Sequence, residues 1–366
     1  MRCVIAGGGT GGHLFPGIAI AEAFEEKEAG NEVLFIGTER GIEVNVLAGG
    51  RFPLRTIHAM PLKGKSLLRK IKAAGAVPVA VSEALSILRD FRPRIVLGVG
   101  GYASGPALLA AALVGIPRAI HEQNMVPGMT NRILKWFSQR IFLSFEDTGH
   151  YFPERKTFIT GNPIRKEFLS CLTNRRKEGR FTILVFGGSA GAHRINEAVM
   201  EALSALAGLK PSLRFIHQTG RDDFDRVSKR YQETGFDALV KPFFEDMAGR
   251  YQTSDLVICR AGAGTIAELA ACGRGSILIP YPYAAHQHQL VQARKLSDLG
   301  ACRMIEDREL SGEGLARSIL DLFSRPEELG RMEEAIQKVG RPEAARKIVE
   351  HCYAMIQSSL SSGGRA

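Results

Sequence analysis

Chemistry concentrates first where a strand-like stretch over 2–6 runs into GGGTGGHLFPG, with a helix expected from about Ile18. Gly7, Gly9 and Gly12 fit the GxGxxG spacing, in which glycine lets the backbone turn tightly and approach a phosphate while the helix start favours negative charge. That spacing suits any dinucleotide site, and Glu39 stands where an NAD site would want an acid for the ribose. A dinucleotide fingerprint asks only for small or apolar packing residues after the loop, whereas here His13 follows it. An imidazole titrates near neutral pH and can take a proton from a hydroxyl, although a capping or packing histidine would occupy the same place.

Two later segments repeat the logic. LVFGGSAGAHRINEAV sets Gly187, Gly188 and Gly191 ahead of a helix near His193, with Ser189 able to donate to a diphosphate oxygen. VICRAGAGTIAELAACG gives a strand, Arg260, a glycine turn, Thr265 as an N-cap and a helix carrying Glu268. The N–H groups of that helix start can bind phosphates, and Glu268 can accept from ribose hydroxyls. A plain strand-to-helix turn explains each segment alone; together they imply one ligand shared by the two halves. The one Asp-x-Asp match, Asp223 to Asp225, follows HQTGR and reads as a solvated helix start, so no protein-bound metal is expected.

Short apolar runs alternating with longer amphipathic ones imply a doubly wound α/β chain. Strands are expected over 2–6, 32–36, 95–99 and 141–144, then over 182–186, 214–217, 255–259 and 276–280. The length of 366 residues suits two domains. Gly161, Asn162 and Pro163 break the pattern between the two series. The expectation is therefore two Rossmann-like domains facing a central cleft, 1–162 and 163–340. Residues 341–366 are read as a helix returning to the first domain, ending in a disordered tail, SSLSSGGRA.

Six cysteines without a CxxC pair argue against zinc and a disulfide framework, and the short apolar N-terminus against a secretion signal. The uncharged stretch 95–117 is long enough to span a bilayer, but GGYASGP divides it into strand, loop and helix. Net charge is +10, and from Arg51 to Ser82 there are basic residues but no acid. Lys63, Lys65, Arg69 and Lys70 lie there beside Leu67, Leu68 and Ile71, a pattern suited to anionic lipid headgroups or to a solvated helix with its leucines inward. No aromatic residues interleave with these charges, so nucleic acid is not an expected partner.

The motifs GGGTGGHLFPG, HEQN at 121–124, TGNPIR at 160–165, FGGSAGA at 186–192, CRAGAGTIAE at 259–268 and IPYPYAAHQHQ at 279–289 occur in this order. Over nearly its whole length the chain resembles the MurG family of peptidoglycan N-acetylglucosaminyltransferases. The resemblance implies a GT-B type enzyme that moves N-acetylglucosamine with inversion from UDP-GlcNAc to lipid I, giving lipid II and UDP. It implies no cofactor, a peripheral position on the cytoplasmic face of the inner membrane, roles in cell shape and division, and cell-wall synthesis enzymes as candidate partners. Thr10, Gly11 and Gly12 would lie near the transferred sugar and diphosphate, Asn124 at the sugar, Arg165 at the diphosphate or nucleotide, and Ser189 at the phosphates. The backbone of Phe244 would meet uracil, Arg260 with Ala263, Gly264, Thr265, Ile266, Ala267 and Glu268 the phosphate and ribose, and Gln289 the sugar hydroxyls. His13 matches the general base, with Glu122 as competitor.

Two positions depart from the family pattern: Ala190 where a glutamine often follows the serine, and Gln292 where asparagine is usual. Ala190 removes any side-chain contact from its position, and Gln292 puts the sugar contact assigned there in question. A sugar transferase to another lipid such as diacylglycerol, a UDP-GlcNAc epimerase of the same fold and a non-catalytic nucleotide-sugar binder are the competing readings. HEQN with GGHLFPG favours transfer to lipid I over these, and the presence of His13, Glu122 and Glu268 weighs against lost chemistry.

Overall fold

The computed structural model describes residues 1–59, 67–173, 179–188, 190–284 and 287–363, with backbone alone for 67–74 and 359–363. The chain divides into two compact units, residues 1–165 with 342–366 and residues 166–341. The limits read from sequence were 162/163 and 340/341.

The first unit holds a seven-stranded parallel sheet of β1 (Arg2–Ala6), β2 (Glu32–Thr38), β3 (Leu54–Ile57), β4 (Ile95–Gly98), β5 (Arg118–Glu122), β6 (Arg140–Leu143) and β7 (Thr157–Ile159). Its order is β3-β2-β1-β4-β5-β6-β7. Alternation along β1 feeds both faces: Cys3 and Ile5 pack with Ile20 and Phe24 of the helix Gly11–Lys27, and Val4 and Ala6 with Ala107 and Leu108 of the helix Ser104–Leu113. Covering both faces turns the strands into continuous apolar runs, which is why most were legible.

The helix Ala344–Gly363 belongs to this unit. Ile348, Val349, Cys352, Met355 and Ile356 recur at helical spacing and join the same cluster as Ile20 and Phe24. Tyr353 bonds Asn31 and Glu28, and Arg140 donates to the His351 carbonyl at 2.9 Å. The helical backbone continues to Gly363, so most of the segment expected to be a disordered tail is helical.

The second unit has six parallel strands: β8 (Phe181–Phe186), β9 (Leu213–Gln218), β10 (Asp237–Lys241), β11 (Leu256–Cys259), β12 (Gly275–Leu278) and β13 (Arg303–Met304), ordered β10-β9-β8-β11-β12-β13. Ile183, Val185, Phe215 and Ile258 pack beneath the helices His193–Ala205 and Gly312–Ser324. Among the described residues no helix is long and apolar enough to cross a membrane. In each sheet the strand order reverses at one point, between β1 and β4 and between β8 and β11. Loops at the carboxyl ends of such strand pairs are where open α/β sheets bind ligands.

Candidate active site

In the first unit the loops after β1 and β4 touch backbone to backbone. Gly8 and Gly9 take φ of 138° and 83°, and Gly101, at 83°, has no room for a Cβ against the Gly8 carbonyl. The following helix starts at Gly11 rather than near Ile18, so Gly11, Gly12 and His13 form its first turn and Pro16 lies inside it. Glycine and proline weaken a helix, but the buried face of Leu14, Gly17, Ile20, Ala21 and Phe24 outweighs that propensity. His13, partly exposed, places Nδ1 3.2 Å from Thr10 Oγ1 and packs its ring on Gly100, where a Cβ would come within 2.6 Å of Cδ2.

HEQN ends β5. Buried His121 bonds the Gly161 carbonyl through Nε2 at 3.2 Å, and burial, with the nearby charge of His13, pushes its pKa down to about 4. Glu122 is enclosed and accepts from the Asn124 N–H (3.0 Å) and amide (3.3 Å), the Gly128 N–H (3.0 Å) and Asn131 Nδ2 (2.9 Å). Burial raises its carboxyl above the ordinary value, and these donors pull it partly back. Its lone pairs are committed to shaping the turn that carries Asn124, which makes it a positioning group. The Arg165 guanidinium lies 5.0 Å from the Phe15 ring, on the helix that carries His13.

In the second unit the glycine loop after β8 rests on the residues after β9. Gly191 (φ 81°) would collide with the Thr219 carbonyl, and Gly220 (φ 78°) with that of Ala190, if either carried a Cβ. Gln218, at the end of β9, donates to the Gly188 carbonyl (3.0 Å) and accepts from the Phe244 N–H (2.8 Å). One buried carboxamide therefore ties the glycine loop to the backbone at Phe244.

The helix Ala263–Cys272 has Gly262 as its N-cap and no side-chain cap, which corrects the assignment of Thr265. The chain turns directly out of β11, and Thr265 becomes the third helical residue. The first backbone bond runs from Ile266 to Gly262, so Ala263, Gly264 and Thr265 present N–H groups without an intrahelical acceptor. Ile266 is buried against the core, Ala267 is half-exposed, and half-buried Glu268 accepts from Tyr251 Oη at 3.4 Å. Gln289 accepts from the Tyr281 N–H at 2.9 Å, and buried Gln292 donates to the Ala261 carbonyl at 3.1 Å, bracing the turn into the helix. Arg260 is committed to Asp307 (2.5 Å) and to the carbonyls of Ile279 and Pro280.

Asp223 is no solvated helix start. It is buried and meets Asn196 Nδ2 at 2.8 Å, His193 Nδ1 at 3.0 Å and Arg226 Nη2 at 3.2 Å, because its helix packs beside His193–Ala205. Among the described residues no three His, Cys, Asp or Glu side chains gather as a metal site. Glu39, the candidate ribose acid, pairs with His58 at 3.3 Å, both exposed.

Residues 3–143 match the glycosyltransferase family 28 N-terminal domain, and residues 182–348 its C-terminal domain. The chain belongs to glycosyltransferase family 28. Family 28 relatives named UDP-N-acetylglucosamine--N-acetylmuramyl-(pentapeptide) pyrophosphoryl-undecaprenol N-acetylglucosamine transferase include one from Myxococcus xanthus, 48% identical over all 366 residues and 96% of that protein. Another, from Citrifermentans bemidjiense, is 50% identical over 95% of this chain and 98% of the relative. The crystal structure of Acinetobacter baumannii MurG superposes with a TM-score of 0.77 at 30% identity, covering 96% of this chain and 99% of that one. A UDP-GlcNAc 2-epimerase from Neisseria meningitidis, with a TM-score of 0.67 at 16% identity over 96% of this chain and 99% of that one, shares the fold.

In this family 28 chain the first unit carries Thr10 to His13, Glu122, Asn124 and Arg165, and the second Phe244, Arg260, Ala263 to Glu268 and Gln289. Ser189, Lys63 and Lys65 lie outside the described residues, and Leu67, Leu68, Arg69, Lys70 and Ile71 open the helix Leu67–Phe91, described as backbone. Sequence reasoning missed Gly100 and Gly101, treated only as a break in an apolar stretch, although paired glycines after a strand are a close-approach signal. It also missed Gln218 and Glu43. The former ends a strand directly before a glycine turn; nothing local marks the latter.

Proposed function

We propose that the chain transfers N-acetylglucosamine from UDP-GlcNAc to lipid I, N-acetylmuramyl-(pentapeptide) pyrophosphoryl-undecaprenol, giving lipid II and UDP for peptidoglycan. The observation that carries this is 48% identity across all 366 residues to a relative bearing that name. We assign the donor to the second unit: phosphates at the open first turn Ala263 to Thr265 and at Ser189, ribose at Glu268, uracil at the Phe244 backbone and sugar hydroxyls at Gln289. Arg260 acts there as a brace through Asp307. We assign the acceptor to the first unit, which also supplies Thr10 to Gly12, Asn124 and Arg165 as donor contacts to the transferred sugar and diphosphate.

The acceptor hydroxyl attacks the anomeric carbon from the face opposite UDP. The new C–O bond forms as the bond to the diphosphate oxygen breaks with its electron pair, and the hydroxyl proton passes to His13, so the anomeric centre inverts. Glu122 positions Asn124 and is not the base. Helix N-termini and arginine meet the charge that develops on the leaving diphosphate, and we assign the reaction no resident cofactor or metal.

A membrane-facing surface on the first unit fits a lipid acceptor. Met129, Ile133, Trp136 and Phe137 recur at helical spacing along Met129–Leu134 and the turn after it, and all are exposed, Trp136 by 70%. Arg132 and Lys135 lie among them. Apolar side chains interleaved with cations suit the headgroup boundary of an anionic bilayer, and the basic run from Arg51 supports the same reading. We place the enzyme as a peripheral protein on the cytoplasmic face of the inner membrane, supplying the wall precursor on which cell shape and division draw.

The test incubates purified protein with UDP-GlcNAc and a lipid I analogue and measures UDP release with and without acceptor. Acceptor-dependent release is expected. Its absence overturns the function, and formation of UDP-N-acetylmannosamine without acceptor identifies an epimerase. A His13→Ala variant as fast as wild type removes the base assignment.

A further inference from the structure

Glu43 has no surface exposure, yet it lies directly under the first glycine-rich loop. Its Oε2 accepts from the Gly9 N–H at 2.7 Å, and its Oε1 accepts from the Thr38 N–H at 2.8 Å and the Thr38 hydroxyl at 3.0 Å. Among the described residues no lysine, arginine or histidine pairs with it, so backbone dipoles meet its charge. Three glycines make room for the carboxylate. A Cβ at Gly37 would come within 2.6 Å of Glu43 Cγ, and a Cβ at Gly8 or Gly41 would overlap the carboxyl group itself. A buried anion enclosed by N–H donors and by residues without side chains is the arrangement that a glycine loop elsewhere builds around a phosphate.

We infer that Glu43 is the resident anion of the first glycine-rich loop: its carboxylate fills the backbone cradle that a nucleotide phosphate would otherwise enter, and so fixes the loop that presents Thr10 to His13. A phosphate at Gly8 and Gly9 would meet the charge of Glu43 at contact distance. The GxGxxG spacing in this chain therefore encodes a loop held by an internal carboxylate, not a dinucleotide site. Glu43 is a positioning residue, and its effect on transfer rests on the reading of His13 as the base toward the acceptor hydroxyl.

The experiment compares wild type, Glu43→Ala and Glu43→Gln as full-length proteins, with formate as the probe and chloride at equal ionic strength as control. Formate is expected to raise the melting midpoint of Glu43→Ala and to leave wild type unmoved, because only the variant has an empty carboxylate cradle. Acceptor-dependent transfer by Glu43→Ala should fall about 100-fold, as a misplaced catalytic group does, and recover in part with formate. UDP affinity, measured by calorimetry, should fall far less than the transfer rate, because the ribose and uracil contacts and the open helix start assigned to the phosphates belong to the second unit. Glu43→Gln keeps the volume but turns its amide toward an N–H donor, so it should lose activity without rescue. Equal formate effects on wild type and Glu43→Ala, or wild-type transfer by a folded Glu43→Ala, overturn the inference. A wild type that shows no acceptor-dependent transfer overturns the proposed function instead, while the formate effect on the melting midpoint still decides the role of Glu43.

Discussion

His217 is fully buried at the end of β9 with both ring nitrogens engaged. Asn196 donates through Nδ2 to the Thr219 carbonyl (2.9 Å) and to Asp223 (2.8 Å), so its Oδ1, 3.0 Å from His217 Nε2, must accept. Nε2 therefore carries the proton, and Nδ1 accepts from Tyr231 Oη at 3.1 Å. A second proton on Nδ1 would face that hydroxyl in a dry site, and burial pushes the pKa from 6.5 down to about 3. Because the folded value lies below the unfolded one, the unfolded chain protonates first. The stabilisation is complete above pH 6.5 and is lost as the pH falls toward 3. At about pH 5 the unfolded state gains roughly 30-fold, or about 2 kcal/mol, from this one group. In His217→Gln the side chain keeps a donor for Asn196 and an acceptor for Tyr231 but does not titrate. Urea unfolding followed by circular dichroism at about pH 7.5 and about pH 5 should show the wild-type advantage over this variant shrinking by about 2 kcal/mol. His121, also buried with a pKa of about 4, adds a slope common to both proteins and cancels in the difference. An unchanged difference between the two pH values would refute the network as drawn.

Changing Gln218 to Glu keeps the acceptor for Phe244 but aims a carboxylate at the Gly188 carbonyl; UDP should bind about 30-fold more weakly, for a cost of about 2 kcal/mol. Calorimetry should show the affinity returning as the pH is lowered, since the protonated acid restores the donor, and a pH-independent loss would count against the bridge. Glu122→Gln puts an amide where Gly128 and Asn131 need an acceptor, so the transfer rate should drop by about tenfold or more while its pH profile keeps its shape. A lost acidic limb would instead make Glu122 the base. Trp136→Ser with Phe137→Ser should weaken binding to phosphatidylglycerol vesicles by about tenfold or more and leave UDP affinity intact, as should Lys63, Lys65, Arg69 and Lys70 changed together to glutamine. Equal vesicle binding by wild type and variants, read by sedimentation, would remove the membrane surface.

Strands buried on both faces, such as β1, β8 and β11, stand out in the sequence because their apolar runs are unbroken. Edge strands did not: Thr157–Ile159 and Asp237–Lys241 are half-exposed over much of their length and lack such runs. Arg118–Glu122 was missed for another reason, as it ends in His121 and Glu122, polar residues whose partners lie on other segments. The glycine loops were legible because their spacing is local. What they contact was not, since Glu43, Gln218 and Gly101 act across folds of the chain that no short window spans. Arg260 shows the converse: its type and place suggested a ligand contact, but Asp307, 47 residues on, engages it.

The return of the last helix to the first unit bears on how the protein emerges from the ribosome. Residues 166–341 complete a sheet and its helices before residues 344–363 exist outside the exit tunnel. The half made first is therefore finished last. Until Ile348, Val349 and Cys352 arrive, the apolar surface around Ile20 and Phe24 waits without its cover. A chain stopped at residue 165 would be an incomplete core, and a nonsense codon near the end of the gene would damage the domain encoded at its beginning.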